Sequence, residues 1–507
     1  MMKEKKVNLL VFFLGIAIIF GFLILSGTLF SGYHFVDDHE VVRMEYSFKE
    51  QHQPLTTIMH NYIQNDLSWR FRPFYWVERS ILSYVFGSNM ILWNIYTGIK
   101  GVLAFFLLYL AARNFKCNLV CSLLFVGVTM LGQQIVPFYR SANQENTGLL
   151  LCAMALWLIA RQYNKSSYKN FFQNFCFCIV VILCGLTKES FTFCIPAFVG
   201  AKYWLDYYYM QKLQPKKTNW LDCLKKNWWV YFVTAITFLT DIYWIAFRVG
   251  TDKVSYAGYH SELGKRKYIQ FMLENLFDYL EVYTYLALAV VLAVLMAYDY
   301  NKKTDRSVIR KYAGLILINL YVMGTQIFIH AHSRIWERYL IPYIVSYAIL
   351  IAILGYRFFE NSVVHRRIYT SLLIILILLQ LPLGWEKAVS WTHEGDKIAR
   401  FLNCITENSD VNSKIICSFV DEECNLAIES KLEAEGYVNI ISYRTGLDQF
   451  VNLVSLHSAS SDEITFETAE LVVCYDWYLT DAMVLMGVDQ EQCEIYDFDG
   501  LDVLVRK

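Results

Sequence analysis

Val7–Glu40 reads VNLLVFFLGIAIIFGFLILSGTLFSGYHFVDDHE. Residues 7–30 of it are almost wholly apolar, and about 20 helical residues cross a bilayer core. The run is too long for the apolar core of a signal peptide and lacks a small-x-small cleavage site, so it reads as an uncleaved membrane helix. Asp37, Asp38 and Glu40 follow within a few residues of the membrane edge. Charges that close to lipid are costly, which makes these carboxylates functional candidates.

The rest of the chain repeats the first observation. Its 507 residues are 56% hydrophobic and only 18% charged, against about 25% charged in soluble proteins. Apolar runs of spanning length recur at 7–30, 91–112, 118–137, 147–163, 171–187, 190–206, 229–247, 280–298, 312–330, 339–356 and 369–385, eleven in all. A bilayer offers irregular backbone no partners, so each run is expected to be helical. The fold class is therefore an α-helical polytopic membrane protein with about 11 transmembrane helices. A formal net charge of −1 and the lack of a concentrated basic patch argue against nucleic acid as a partner. Of 13 cysteines, six (Cys121, Cys152, Cys176, Cys178, Cys184, Cys194) fall in membrane runs and read as small hydrophobes.

Positive charge orients the chain. One set of loops holds Lys3, Lys5 and Lys6; Arg113 and Lys116; Arg161, Lys165 and Lys169; six lysines from Lys202 to Lys226; Lys302, Lys303, Arg306, Arg310 and Lys311; and Arg357, Arg366 and Arg367. The short loops of the other set hold Arg140, Lys188, Arg334 and Arg338. The positive-inside rule places the N-terminus in the cytoplasm. With eleven crossings, the first long loop, 31–90, and the tail both lie outside. The sequon Asn164-Lys165-Ser166 falls on the inner side, which favours a bacterial surface protein.

Residues 1–392 are expected to form one membrane domain and 393–507 a small extracytoplasmic α/β domain. In the tail, Ile398–Ile405 and Leu426–Glu435 read as helices. Lys414–Phe419, Tyr437–Tyr443 and Leu471–Cys474 read as strands, and Cys493–Val505 as a hairpin around Asp499-Gly500. Its five cysteines are an odd number, so at least one is unpaired within the tail.

The outer side carries five polar features. Asp37 at the N-cap of a helix would make Glu40 its capping-box partner. The residues after it alternate (Val42, Met44, Tyr46, Phe48 against Arg43, Glu45, Ser47, Lys49), and periodicity alone favours a strand there. Arg70 and Arg72 interleave with aromatics in Trp69–Trp76, as either phosphate forks or interfacial anchors. Lys188 and Glu189 sit in a tight turn, where they pair with each other, face inward, or form an exposed tip. His330, His332, Arg334, Glu337 and Arg338 crowd one loop; His330-x-His332 with Glu337 is a weak metal signal, and Arg334 and Arg338 are spaced to share a helical face. Lys100, Asp241 and Arg248 lie within or at the outer ends of spans, where Lys100 either snorkels or pairs with Asp241.

Carboxylates at a membrane surface with cations at the same level suit a lipid substrate that carries a phosphate. Cations stabilise the departing phosphate, and a carboxylate takes the proton of an incoming hydroxyl. Four motifs in order, Asp37-Asp38, Arg70-Phe71-Arg72-Pro73, Leu186-Thr187-Lys188-Glu189 followed by Pro196, and Glu337-Arg338-Tyr339-Leu340-Ile341-Pro342, resemble the GT-C superfamily of integral-membrane glycosyltransferases. The similarity is closest to the branch with protein O-mannosyltransferases and the lipid A aminoarabinose transferase, and it covers roughly residues 1–356. It implies helices lying on the membrane in the first outer loop, against the strand periodicity. It implies an inverting transfer from a polyprenyl-phosphate monosaccharide to a cell-envelope glycan, lipid or protein. Asp37 would be the base and Asp38 would orient the acceptor or a metal. Lys188, Arg338 and one of Arg70 or Arg72 would hold the donor phosphate, with Glu40, Glu189, Arg334, Glu337 and Tyr339 in support. The family commonly has Asp-Glu where this chain has Asp37-Asp38-His39-Glu40, so the base is to be chosen among Asp37, Asp38 and Glu40. Some members use a divalent cation (Mg or Mn) and others none; candidate ligands here are Asp38, His330 and His332. The alternatives are a polytopic transporter of an envelope precursor and an O-antigen polymerase or ligase-like enzyme.

Overall fold

The stretch after the acidic cluster is a helix, Asp38–Lys49, despite its strand-like alternation. Burial decides the matter: Asp38, Val41, Val42 and Met44 turn inward, and 38, 41 and 42 follow helical spacing. Val41 packs with Met90 and Trp93, with Tyr33, Leu82 and Phe86 around them.

The computed structural model describes residues 2–141, 143–164, 171–213, 219–250, 306–330, 337–360, 362–444, 449–453 and 464–507, with a few isolated positions between 266 and 294. The expected span at 280–298 lies outside the described residues. Among these, six helices are long and apolar enough to cross a membrane: Glu4–Leu25, Met90–Asn114, Trp228–Val249, Tyr312–His330, Arg338–Phe358 and Val363–Glu407. Leu119–Met130 and Phe171–Gly185 are shorter apolar helices, and Glu145–Asn164 and Cys194–Leu213 are helices of 20 residues.

Contacts divide the chain into two compact units. One comprises 1–23, 61–77 and 96–387; the other comprises 24–60, 78–95 and 388–507. The last segment of the second unit begins at 388 and folds together with residues 24–60 and 78–95.

In the first unit, small residues let helices approach. A Cβ on Gly148 would collide with the Phe191 ring, so the Glu145–Asn164 helix can meet the 188–192 turn there because Gly148 has none. Lys202 and Asp206 pair at 2.9 Å inside the same unit, and Gln162 and Asn227 complete their hydrogen bonds. A buried ion pair is tolerable when its remaining donors and acceptors are met in this way.

In the second unit a six-stranded mixed sheet has the order β3-β2-β1-β4-β6-β5. The strands are β1 Ile415–Ser418, β2 Ile440–Arg444, β3 Gln449–Val451, β4 Leu471–Tyr475, β5 Cys493–Asp497 and β6 Leu501–Arg506. β1 runs parallel to β2 and β4, while β3, β6 and β5 are antiparallel to their neighbours. Successive residues of β1 and β4 enter opposite cores. Ile415, Cys417, Leu471 and Val473 join one; Ile416, Val472 and Cys474 join the other. Coverage on both faces is why these strands read as continuous apolar runs. Phe35 joins the first of these cores with Phe401, Ala427 and Ile428, and Tyr33 Oη donates to the Ala427 carbonyl at 2.8 Å. The β5–β6 hairpin turns at Asp499 and Gly500, with φ of 53° and 93°, the positive values a two-residue turn requires. All 13 cysteines are free thiols.

Candidate functional site

The acidic cluster lies in the second unit. Asp37 occupies the N-cap position of the Asp38–Lys49 helix, with φ 63° and ψ −12°, and its side chain makes no capping hydrogen bond. The capping box therefore does not form. Glu40 instead pairs through Oε2 with Arg79 Nε at 3.1 Å. Arg79 is 2% exposed, donates from Nη2 to the Asp37 carbonyl, and lies 5.7 Å from the centre of the Trp93 ring. Asp38 is buried, and its Oδ2 accepts from the His34 backbone N–H at 3.0 Å. Asp37, by contrast, is half-buried. Burial holds the buried His39 ring mostly neutral, its pKa lowered to about 4 against the opposing pull of Asp37. Glu423 approaches from the Glu422–Ala434 helix. Burial, then the charge of Asp37, pushes its carboxyl up to about 7.

The cationic cluster lies in the first unit. Lys188 and Glu189 both face inward, but they do not pair with each other. Lys188 pairs with Glu145, at the start of the Glu145–Asn164 helix. Glu189 pairs with Arg70 at 3.2 Å and accepts from the Phe71 N–H at 2.8 Å. The Phe74 N–H donates to the Leu186 carbonyl at 2.9 Å, so the 70–74 segment is docked along the 186–189 turn. Arg338 donates to Asn143 Oδ1 at 3.2 Å. Tyr339 presents its ring to Lys188 Nζ at 4.1 Å and to the Arg338 guanidinium at 5.2 Å, and His330 stacks on it at 5.0 Å. Arg72 instead pairs with Asp66 at 3.0 Å and lies over the Tyr75 and Trp76 rings.

The electrostatics follow from this arrangement. Burial lowers the Lys188 pKa to about 8, and Arg70 and Arg338 add to the effect against the opposing pull of Glu145. Burial would raise Glu189, but Arg70 and then Arg72 overcome it and hold its carboxyl at about 2. Among the described residues, the three cations Arg70, Lys188 and Arg338 gather with the two carboxylates Glu145 and Glu189. Such a place suits an anion with several oxygens, to which arginine forks are matched.

Several partners carry no motif of their own. Arg79 sits inside the apolar stretch of Pro73–Phe86, where a lone buried arginine is the one local signal. Glu145 and Asn143, which the sequence reading missed, precede a span within the polar run Asn143–Thr147, and that position is the one signal that could have found them. Lys100 neither snorkels nor pairs with Asp241: its Nζ donates to Asn146 Oδ1 at 2.7 Å and Thr147 Oγ1 at 2.8 Å. Asp241 is 1% exposed and packs against Gly185. Arg248 lies over Trp244 at 5.9 Å. His332, Arg334 and the side chain of Glu337 lie outside the described residues. Among the described residues, no three His, Cys, Asp or Glu side chains gather as metal ligands, and Asp38 and His330 are engaged as described.

No family model matches the sequence, and no curated protein matches it either. Among solved structures, the chain is similar to ArnT from Cupriavidus metallidurans bound to undecaprenyl phosphate, with a TM-score of 0.51 and 11% identity, covering 97% of each chain. It is also similar to the Archaeoglobus fulgidus oligosaccharyltransferase tethered to an acceptor peptide containing the NVT sequon, with a TM-score of 0.46 and 12% identity, covering 99% of this chain and 74% of that one. The likeness to ArnT is one of fold: the chain shares the fold of that structure, in keeping with the resemblance that its four motifs carry.

Proposed function

We propose that this chain is an inverting membrane glycosyltransferase that moves a sugar from a polyprenyl-phosphate donor to an extracytoplasmic glycan, lipid or protein. The observation that carries the reading is the cluster in which Arg70, Lys188 and Arg338 gather with Glu145 and Glu189. Support comes from the shared fold, whose ArnT example is bound to undecaprenyl phosphate. The reading takes the chain to cross the membrane eleven times, with its N-terminus in the cytoplasm and its sheet domain outside.

In the proposed reaction Asp37 removes the proton of the acceptor hydroxyl as that oxygen attacks the anomeric carbon. The bond from that carbon to the phosphate oxygen breaks, and the lipid phosphate leaves with the electron pair. Lys188, Arg338 and Arg70 stabilise the departing charge in a site of low dielectric. Asp37 is preferred as base over Asp38 and Glu40 because Asp38 is buried on the His34 N–H and Glu40 is paired with Arg79.

The test is sugar transfer in membranes with a panel of radiolabelled polyprenyl-phosphate sugars, comparing wild type with Asp37→Asn and Lys188→Ala. Transfer by wild type that both changes abolish, at equal protein levels, supports the reading. Transfer unaffected by either change would overturn it.

A further inference from the structure

We infer that Gln326, on the helix Arg306–His330, is a positioning residue that acts on the donor phosphate through Lys188. The inference rests on Lys188 holding that phosphate, as proposed above.

Gln326 is fully buried, and its Nε2 donates to the Ser190 carbonyl at 2.8 Å, across 136 residues of sequence. The partner fixes which end of the amide faces it, because a carbonyl oxygen can only accept. Ser190 follows Lys188 and Glu189 directly and belongs to the four-residue helix Glu189–Thr192. The last carbonyls of any helix lack partners within it, and in so short a helix none is far from its end. Gln326 supplies a donor to one of them. The turn is held from other directions as well. Lys188 pairs with Glu145, Glu189 pairs with Arg70, and Thr192 Oγ1 donates to the Gly185 carbonyl at 3.2 Å. Gln326 grips the main chain one residue after the charged pair, so it sets where the Lys188 ammonium is carried.

Two further observations set Gln326 apart from a packing residue. Its Oε1 is buried and has no hydrogen-bond partner among the described residues. A buried acceptor left unpaired is destabilising, and an apolar side chain of the same shape would fill the space without that cost. The donation to Ser190 is what the amide adds. In addition, Gln326 and His330 stand four residues apart, which places them on one helix face. His330 stacks on Tyr339, whose ring lies 4.1 Å from Lys188 Nζ. One face of this helix therefore holds both the main chain that carries Lys188 and the aromatic ring that the ammonium meets.

The test uses the full-length chain in detergent. It measures kcat, donor KM and the Kd of a polyprenyl phosphate that carries no sugar. Gln326→Met keeps the length of the side chain and removes the donor. It is expected to raise Kd and donor KM about five-fold, the range of one net hydrogen bond. A loss of binding shared by ground and transition states leaves kcat within about two-fold. Protein that merely folds less well would instead show lower kcat at unchanged KM and Kd, and that result would overturn the inference. So would wild-type values throughout. Should Gln326→Met fail to fold, Gln326→Asn withdraws the amide by one methylene and must weaken binding in its place. The double variant Lys188→Ala/Gln326→Met is expected to bind as Lys188→Ala does, because residues that act through one another are not additive. Additive losses would mean that Gln326 acts apart from Lys188, and the inference would fall. Lys188→Ala alone tests the reading beneath it. If that variant binds the polyprenyl phosphate like wild type, the phosphate assignment itself falls. If it binds weakly while Gln326→Met is normal, the positioning role alone falls.

Discussion

Arg79 donates a hydrogen bond to the Asp37 carbonyl across 42 residues of sequence, and the same guanidinium pairs with Glu40. One buried cation thus serves a strained backbone position and a carboxylate together. Removing one partner of a buried pair leaves the other charge uncompensated, at a cost of about 3–5 kcal/mol. Arg79→Met is therefore expected to lower the Tm strongly, measured by thermal unfolding in detergent. Arg79→Lys is expected to recover part of that loss, because a point charge cannot reproduce the fork that reaches both groups. An unchanged Tm in Arg79→Met would contradict this account.

Asp37→Asn suits the left-handed backbone, so the variant should fold normally while sugar transfer falls by about 10²–10⁴ fold, the usual contribution of a general base. Asp38→Asn keeps an acceptor for the His34 N–H and should retain both stability and most transfer. Asp38→Ala removes that acceptor and should cost about 1–3 kcal/mol of stability. Comparing Tm and transfer across the three variants separates the two aspartates.

Lys188 titrates near 8 in the folded protein, so it is charged below that pH and neutral above it. If it holds the donor phosphate, kcat/KM for the donor falls as pH rises through about 8, since that ratio reports the free enzyme. Lys188→Arg, which stays charged, should move this alkaline limb upward. A limb at the same pH in both proteins would assign it to another group.

Glu423 titrates near 7 in the folded state, above the usual range of an unfolded glutamate. Between about 4.5 and 7 the folded protein therefore binds more protons than the unfolded one, and stability falls as pH rises through that window. Glu423→Gln lacks this titration. The Tm of wild type should drop relative to Glu423→Gln between pH 5 and pH 8, and parallel curves would show that the carboxyl is not perturbed.

Gly148→Ala drives a methyl into the Phe191 ring, two residues beyond Glu189. Overpacking of this kind costs about 1–3 kcal/mol. The expected result is a lower Tm together with weaker donor binding, as the 188–192 turn is displaced. Unchanged values for both would mean that the ring yields without moving the turn.

Much of this architecture is readable in the chain itself. Apolar runs such as 91–112 and 171–187 are helices because their length and composition leave the backbone no other way to satisfy its hydrogen bonds in lipid. β1, β4 and the Asp499-Gly500 turn were equally plain, the strands from unbroken apolar residues and the turn from positive-φ chemistry. The edge strand Gln449–Val451 carries no such run and went unseen. The helix Asp38–Lys49 was misleading from periodicity alone, since the burial that selects between helix and strand comes from Met90, Trp93 and the helix Glu422–Ala434.

The motifs Asp37-Asp38, Arg70-Arg72, Lys188-Glu189 and Arg338 were legible as polar residues at the membrane edge, because charge near lipid is costly wherever it stands. Their partners were not. Glu189 chose Arg70, 119 residues away, over its neighbour Lys188, and Lys188 chose Glu145 across 43 residues. Periodicity, hydropathy and charge asymmetry are local properties, so the sequence by itself determined which segments are helices, which strands, and on which side their charges are expected. Ion pairing depends on which turns the packed helices bring within about 3 Å, so only the tertiary structure decided that Arg79 holds the Asp37 carbonyl and pairs with Glu40.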